Sequence, residues 1–430
     1  ARTTTYICYR DSQKKVKKRR FLRKRFLILI FCLGVSRGTL ESHMREYHVG
    51  EHLRGVMSGA PMDYASSGVD IDSEAEAVSS LIGSLSNSMR RKGQKGAPVP
   101  LPGGFGGIVE FGDSCLALAT DGVGSKLQIA NELGRLEGVG IDCIAMNVND
   151  LICVGAEPLA FVDYIATPET DASVHAILGA SLSEGCNRAR VTLAGGETAT
   201  LPGIVRELDL SGTALGWFPQ GEAITGENLE VGDLLIGLPS SGIHSNGYTL
   251  VRAILSKIGA SLWEPAPFDT YHPNRDVERF PEAEGEIGLG EVLLNPTRIY
   301  VDPMIDLISQ CREGDGPCQL SDIRAIAHIT GGGLSNLLRL HESLGWHIDS
   351  PLPVHPEFRW LAENGPVNSK EMHRTFNMGM GMVVAVSNDS ADSVLRWISD
   401  RIEGAKIVGS VTDRGRLVTH VDSSVMFDSY

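Results

Sequence analysis

Asp121 and Lys126 flank two glycines in TDGVGSK, residues 120–126. A carboxylate there can hold a divalent cation, an ammonium can meet phosphate charge, and the glycines let the backbone approach both. A turn closed by a salt bridge is the plain alternative. Downstream, Asp142, Asn149 and Asp150 fall in one stretch of helical periodicity. Seven residues turn a helix through about 700°, so Asp142 and Asn149 share a face about 10 Å apart, with Asp150 about 100° further round. Such a set suits magnesium, which takes a few carboxylates and fills its shell from phosphate oxygens and water. A solvated helix face carries the same pattern. Glu197 follows two glycines in GGETA, where it can bind metal, orient an amine or cap a helix.

Three further segments can bind anions. Gly103, Gly104, Phe105, Gly106 and Gly107 form a loop whose backbone N–H groups could wrap a nucleotide, though no G-x-x-x-x-G-K-[ST] pattern occurs and a flexible surface loop fits as well. SSGIHSNGY, residues 240–248, gathers hydroxyls, His244, Ser245 and Asn246 into one turn before a helix, suited to phosphate or sugar. His244 could exchange a proton near neutral pH or be structural. TGGG, residues 330–333, is a second candidate anion nest.

Positioning these groups calls for alternating strands and helices. Residues 114–120 (SCLALAT), 161–167 (FVDYIAT), 191–194, 233–238 (DLLIGL), 325–329 and 380–386 read as strands. Residues 138–154 read as a helix, with Ile141, Ile144, Val148 and Ile152 along one stripe, and a second helix carries Leu250, Val251, Ile254 and Ile258. We expect two α/β domains, at 62–228 and 229–430, with ligands at the loops that follow strands. Residues 1–61 stand apart: KKVKKRRFLRKR at 14–25 precedes a short apolar run. They read as non-native or upstream-translated sequence, with a targeting segment and a nucleic-acid or membrane arm as alternatives. That apolar run, about ten residues, is half of what a bilayer needs.

The chain carries a net charge of −14, yet residues 1–60 hold 14 Lys or Arg against 4 Asp or Glu, so the body is strongly acidic. An acidic body gains nothing from counterion release on a nucleic acid, so an anionic nucleotide must be held by local devices. Eight cysteines without a C-x-x-C pair read as buried thiols of a reducing compartment, with a disulfide or metal role left open for Cys311 and Cys318.

In order, GGFGG, TDGVGSK, GID, NVNDL, GAEP, GGETA, SSGIHSNGY, NPTRIYV, AIAHITGGG and HRTFNMGMGM resemble the phosphoribosylformylglycinamidine cyclo-ligases, also called aminoimidazole ribonucleotide synthetases, over nearly all of residues 62–415. The resemblance implies a cytoplasmic purine-synthesis enzyme of α/β (α+β) class with the two-domain PurM-like fold. Its N-terminal sheet would pair with its twin in a homodimer barrel, and its C-terminal domain would be α/β. It implies formylglycinamidine ribonucleotide and ATP as substrates, with magnesium and no nucleic-acid or membrane partner. By motif, Asp121, Asp142, Asp150 and Glu197 match metal-holding acids. Lys126 and residues 103–107 would meet phosphate charge, Asn149, Ser245 and Asn246 would line the nucleotide site, and Asp121 and His244 would serve catalysis. One departure shows: Ala65-Ser66 stand where the family carries a Lys-Asp pair. Thiamine-monophosphate kinase, selenophosphate synthetase and the hydrogenase-maturation dehydratase share the Asp pattern and ATP. HSNGY and HRTFNMGMG favour the cyclo-ligase, and no reactive cysteine precedes GGFGG in the body. A nucleotide sensor without turnover is the reading from another class.

Overall fold

The computed structural model describes residues 62–63, 66–68, 81, 89–101 and 107–430. The expectations for residues 1–61 and for Gly103, Gly104, Phe105 and Gly106 lie outside the described residues.

Six strands make the first sheet: β1 (Pro98–Val99), β2 (Gly107–Phe111), β3 (Ser114–Gly122), β4 (Glu157–Thr167), β5 (Thr192–Thr200) and β6 (Asp209–Pro219), in the order β1-β2-β3-β6-β4-β5. Only β4 and β5 run parallel, joined by a helix as parallel neighbours require. Strand alternation gives the sheet two unlike faces. Cys115, Ala117 and Ala119 of β3 are buried, whereas Leu118 (41% exposed), Val162 (43%) and Tyr164 (40%) lie on a face that no described element covers.

Helices α1 (Lys126–Leu133), α2 (Val139–Cys153) and α3 (Ala172–Arg188) belong to this half. Nearly every residue of α2 is buried, the mark of a helix enclosed on all sides: it packs on β3, β6 and α3 and also reaches elements of the second half. Gly140 makes that enclosure possible. Its N–H donates to Ser181 Oγ at 2.8 Å, and a Cβ there would collide with the backbone of Ser181 and Leu182, so α2 and α3 cross at backbone distance.

The second sheet comprises β7 (Leu234–Pro239), β8 (Ile323–His328), β9 (Gly345–Ile348), β10 (Met380–Val386), β11 (Lys406–Thr412), β12 (Val418–His420) and β13 (Met426–Phe427). Their order is β13-β12-β9-β11-β7-β10-β8, antiparallel except where β12 meets β9. Strand β10, between β7 and β8, is buried at every position, which its uninterrupted MGMVVAV explains. Helices α4 (Tyr248–Ile258), α5 (Leu289–Leu293), α6 (Val301–Glu313), α7 (Pro356–Asn364), α8 (Ser369–Thr375) and α9 (Ala391–Ser399) accompany it. Among the described residues, no helix is long and apolar enough to cross a membrane.

One local expectation changes: GGETA lies inside β5 rather than in a loop that follows a strand. Residues 333–339 after TGGG form a 3-10 stretch. The described cysteines are free thiols, with the Cys311 and Cys318 sulfurs 3.6 Å apart.

Candidate active site

Helix α2 carries polar groups toward two different neighbours. Asp142 is fully buried and faces Lys126, whose side chain is fully buried too: Nζ lies 2.9 Å from Oδ1 and 2.8 Å from Oδ2. Lys126 also donates to the Asn295 carbonyl at 2.9 Å. Asp142 Oδ1 further accepts from Thr297 N–H at 2.7 Å and Thr297 Oγ1–H at 2.6 Å. Burial pulls the Lys126 ammonium below its usual range, and the Asp142 charge opposes that shift. The ion pair thus clamps α1 and α2 to segment 295–297. Enclosed in this way, Lys126 has no face to offer a phosphate and Asp142 none to offer a metal ion, so the geometry fits neither the phosphate contact nor the metal role that the motifs suggest.

Asn149 behaves similarly. Fully buried, it donates from Nδ2 to the Arg298 carbonyl at 2.9 Å and accepts from Tyr300 N–H at 3.0 Å. Asp142 and Asn149 do share one face, as helical spacing requires, but that face is filled by residues 295–300 rather than by a nucleotide. Glu197 is also separated from the acids. It lies opposite Tyr164, one position past the row that joins Asp121, Gly212, Asp163 and Gly196 across the sheet. Adjacent rows point to opposite faces, so Glu197 projects to the uncovered side, away from Asp121.

Asp121 and Asp150 lie near enough for the charge of Asp150 to act on Asp121. Asp121 ends β3 on the helix-covered side, its Oδ1 accepting from Gly122 N–H at 2.7 Å. The residue as a whole is exposed, while neighbouring groups crowd its carboxyl. Burial, opposed by the Gly122 hydrogen bond, pushes it up to about 6, with the nearby Asp150 charge raising it further and His328 lowering it. Asp150, at the open end of α2 and 20% exposed, lies 2.9 Å from Nδ1 of His328 at the end of β8. An ionised carboxylate only accepts, so Nδ1 carries the hydrogen between them, while Nε2 is buried and without a partner among the described residues. Asn147, one helical turn before Asp150, donates from Nδ2 to the Asp121 carbonyl at 3.2 Å and to the Cys143 carbonyl at 2.8 Å, and its Oδ1 is also buried and unpartnered.

The turn SSGIHSNGY meets this cluster from the second half. Asn246 reaches Met146 of α2, and its Oδ1 would lie 3.2 Å from a Cβ at Gly331. Ser245 Oγ is 2.9 Å from Thr297 Oγ1 and so belongs to the clamp. His244 is buried with φ of 66°, a left-handed backbone that tight packing must hold in place. Its Nε2 accepts from Ser241 N–H at 3.1 Å, leaving Nδ1 as a buried donor without an acceptor among the described residues. Burial, then the charges of His328, Lys126, Arg298 and His355, hold its pKa well below the usual range. With Nε2 engaged by Ser241, the ring presents Nδ1–H as its free donor.

Two carboxylates, an acid-oriented imidazole and an amide oxygen thus converge where α2 meets β8. Among the described residues no three His, Cys, Asp or Glu side chains form a metal cage. Magnesium needs only one or two carboxylates when phosphates complete its shell, and the crowding of negative charge at Asp121 is the kind of site a cation relieves. His328 and Asn147 lay within AIAHITGGG and NVNDL. The i, i+3 spacing of Asn147 and Asp150, which puts both on one helix face, is the signal that could have found the second.

Family models describe the same two halves. Residues 103–218 match the AIR synthase related protein N-terminal domain, and residues 230–422 match the corresponding C-terminal domain. The chain is 42% identical to a phosphoribosylformylglycinamidine cyclo-ligase of Methanosarcina mazei, over 84% of this chain and 97% of that protein. It is 43% identical to one of Methanothermobacter thermautotrophicus, over 82% and 95%. Among solved structures, the fold is similar to the HypE-HypF complex (17% identity, TM-score 0.51, 74% of this chain and 91% of that one). It is also similar to AaThiL complexed with AMPPCP and TMP (18%, 0.50, 79% and 92%).

Proposed function

Because the chain belongs to the phosphoribosylformylglycinamidine cyclo-ligase family, we infer that the cluster around Asp121, Asp150 and His328 is where it carries out that family's reaction. The protein is a ligase of purine biosynthesis. It closes formylglycinamidine ribonucleotide to 5-aminoimidazole ribonucleotide, with ATP converted to ADP and phosphate.

The formyl oxygen of the substrate leaves poorly. Phosphoryl transfer from ATP to that oxygen turns it into a phosphate leaving group. The ribose-bearing nitrogen then bonds to the formyl carbon, the carbon–oxygen bond breaks, and nitrogen loses a proton as the ring forms. No covalent enzyme intermediate is needed, so the protein contributes by positioning and charge compensation, each on the order of several kcal/mol.

Magnesium, bound together with ATP, would neutralise phosphate charge, and Asp121 and Asp150 are the carboxylates that would hold it. Asp150 also fixes the His328 tautomer, so that Nε2 can accept from a ligand N–H or O–H. Asn147 Oδ1 offers a second acceptor, and His244 Nδ1–H donates to a ligand oxygen. The uncovered face of the first sheet, with Leu118, Val162 and Tyr164, supports pairing with a second copy of the chain. The convergence of Asp121 and Asp150 at one solvent-reaching point carries this reading.

Purified protein with ATP and magnesium should release ADP only when formylglycinamidine ribonucleotide is added. Nucleotide binding without such turnover would identify a sensor instead.

A further inference from the structure

A second cavity opens beside segment 295–300, with a volume of about 370 Å³. Asn274, Arg275, Asp276, Arg298, Arg401 and Glu403 line it, and its volume is that of a small-molecule site. The segment that walls it is the one Asn149 holds by the Arg298 carbonyl and Ser241 holds by the Pro296 carbonyl. The cavity is therefore one backbone segment removed from the SSGIHSNGY turn.

Two of its three arginines rest on backbone carbonyls. Arg298 donates from Nη2 to the Asn274 carbonyl at 2.8 Å, and Arg401 from Nη1 to the Trp397 carbonyl at 2.8 Å while stacking 3.6 Å from the Trp397 ring. Among the described residues neither guanidinium has a carboxylate within ion-pair distance. Arg275 is paired with Glu357 and bonded to the Thr270 carbonyl, but its buried Nε–H has no acceptor among the described residues. Buried N–H groups are rarely left so. Asp276 and Glu403 are exposed and outside any ion pair among the described residues. Guanidiniums match phosphate oxygens, and carboxylates accept from sugar hydroxyls.

We propose that this cavity binds a sugar phosphate monoester, with the phosphate on Arg298 and Arg401 and the sugar hydroxyls on Asp276 and Glu403. The ligand is either the phosphoribosyl end of the substrate, in which case the proposal rests on the cyclo-ligase reading, or a separate sugar phosphate.

Calorimetric titration with ribose 5-phosphate tests the site without any turnover. Wild-type protein should bind it, and ribose should bind roughly tenfold or more weakly. Arg401→Gln, at an exposed position, and Arg298→Gln should each weaken ribose 5-phosphate roughly tenfold, with melting temperature as the check on folding. Kinetics then assign the source. A matching rise in KM for the ribonucleotide, with KM for ATP unmoved, identifies the substrate's own phosphate. Lost ribose 5-phosphate binding at unchanged KM identifies a separate ligand. Loss of binding in variants of a protein that proves inactive would keep the site and remove only the cyclo-ligase reading. Wild-type protein that ignores ribose 5-phosphate, or binding that both arginine variants leave intact, overturns the proposal.

Discussion

Asp142 and Asp150 lie eight residues apart on one helix and are indistinguishable by residue type, yet the fold treats them in opposite ways. Asp142 is sealed, with its oxygens committed to Lys126 and Thr297. Asp150 reaches solvent and holds one histidine, near a second carboxylate that has no ion pair among the described residues. The contrast shows that an acid's role is decided by how many partners the protein itself supplies. Enclosed Asp142 joins the two halves of the molecule, whereas Asp121 and Asp150 keep fewer partners among the described residues.

The largest effect should come from breaking the sealed pair. Removing one partner of a buried ion pair costs about 3–5 kcal/mol, so Lys126→Met should lower thermal stability sharply, as read by calorimetry. Pairing it with Asp142→Leu should recover only part, because Thr297 N–H would still lack an acceptor. A Lys126→Met protein of normal stability that had lost ATP affinity would reverse the assignment. Next comes the open pair: Asp121→Asn should cut kcat about a hundredfold, equivalent to about 2.7 kcal/mol, with melting temperature nearly unchanged. Near-normal turnover in that variant would remove Asp121 from the site.

The smallest effect concerns pH. In the second half, burial and the His373 charge lower His420 to about 4. A histidine lowered on folding stabilises the native state above its unfolded pKa of about 6.5 and loses that contribution as pH falls toward 4. Melting temperature should therefore drop between pH 7 and pH 5, and His420→Gln should flatten that drop by about 2 °C. An unchanged slope would show that His420 does not contribute.

Much of the scaffold is legible in the sequence because it rests on local patterns. Seven apolar residues in a row mark Met380–Val386, and Ile141, Ile144, Val148 and Ile152 mark α2. The site is legible at its strand and helix ends, Asp121 and Asp150, and in the turn that carries His244. Elsewhere, distant chain decides. Lys126 and Asp142 find each other because residues 295–297 close over them, 155 positions beyond Asp142. GGETA reads as a loop after a strand, but Gly196 is a glycine because Asp163 of the neighbouring strand fills the space beside it. His328 gains its meaning from a partner 178 residues away.

The central claim is that Asp121 and Asp150 face the nucleotide and enclosed Asp142 does not. A crystal structure with magnesium and a non-hydrolysable ATP analogue tests it most directly. The expected result is a cation between the terminal phosphates and the carboxylates of Asp121 and Asp150, at about 2.1 Å where it is bound directly, with Asp142 still enclosed by Lys126 and Thr297. Phosphates bound away from Asp121 and Asp150, or Lys126 swung out to meet them, would contradict it.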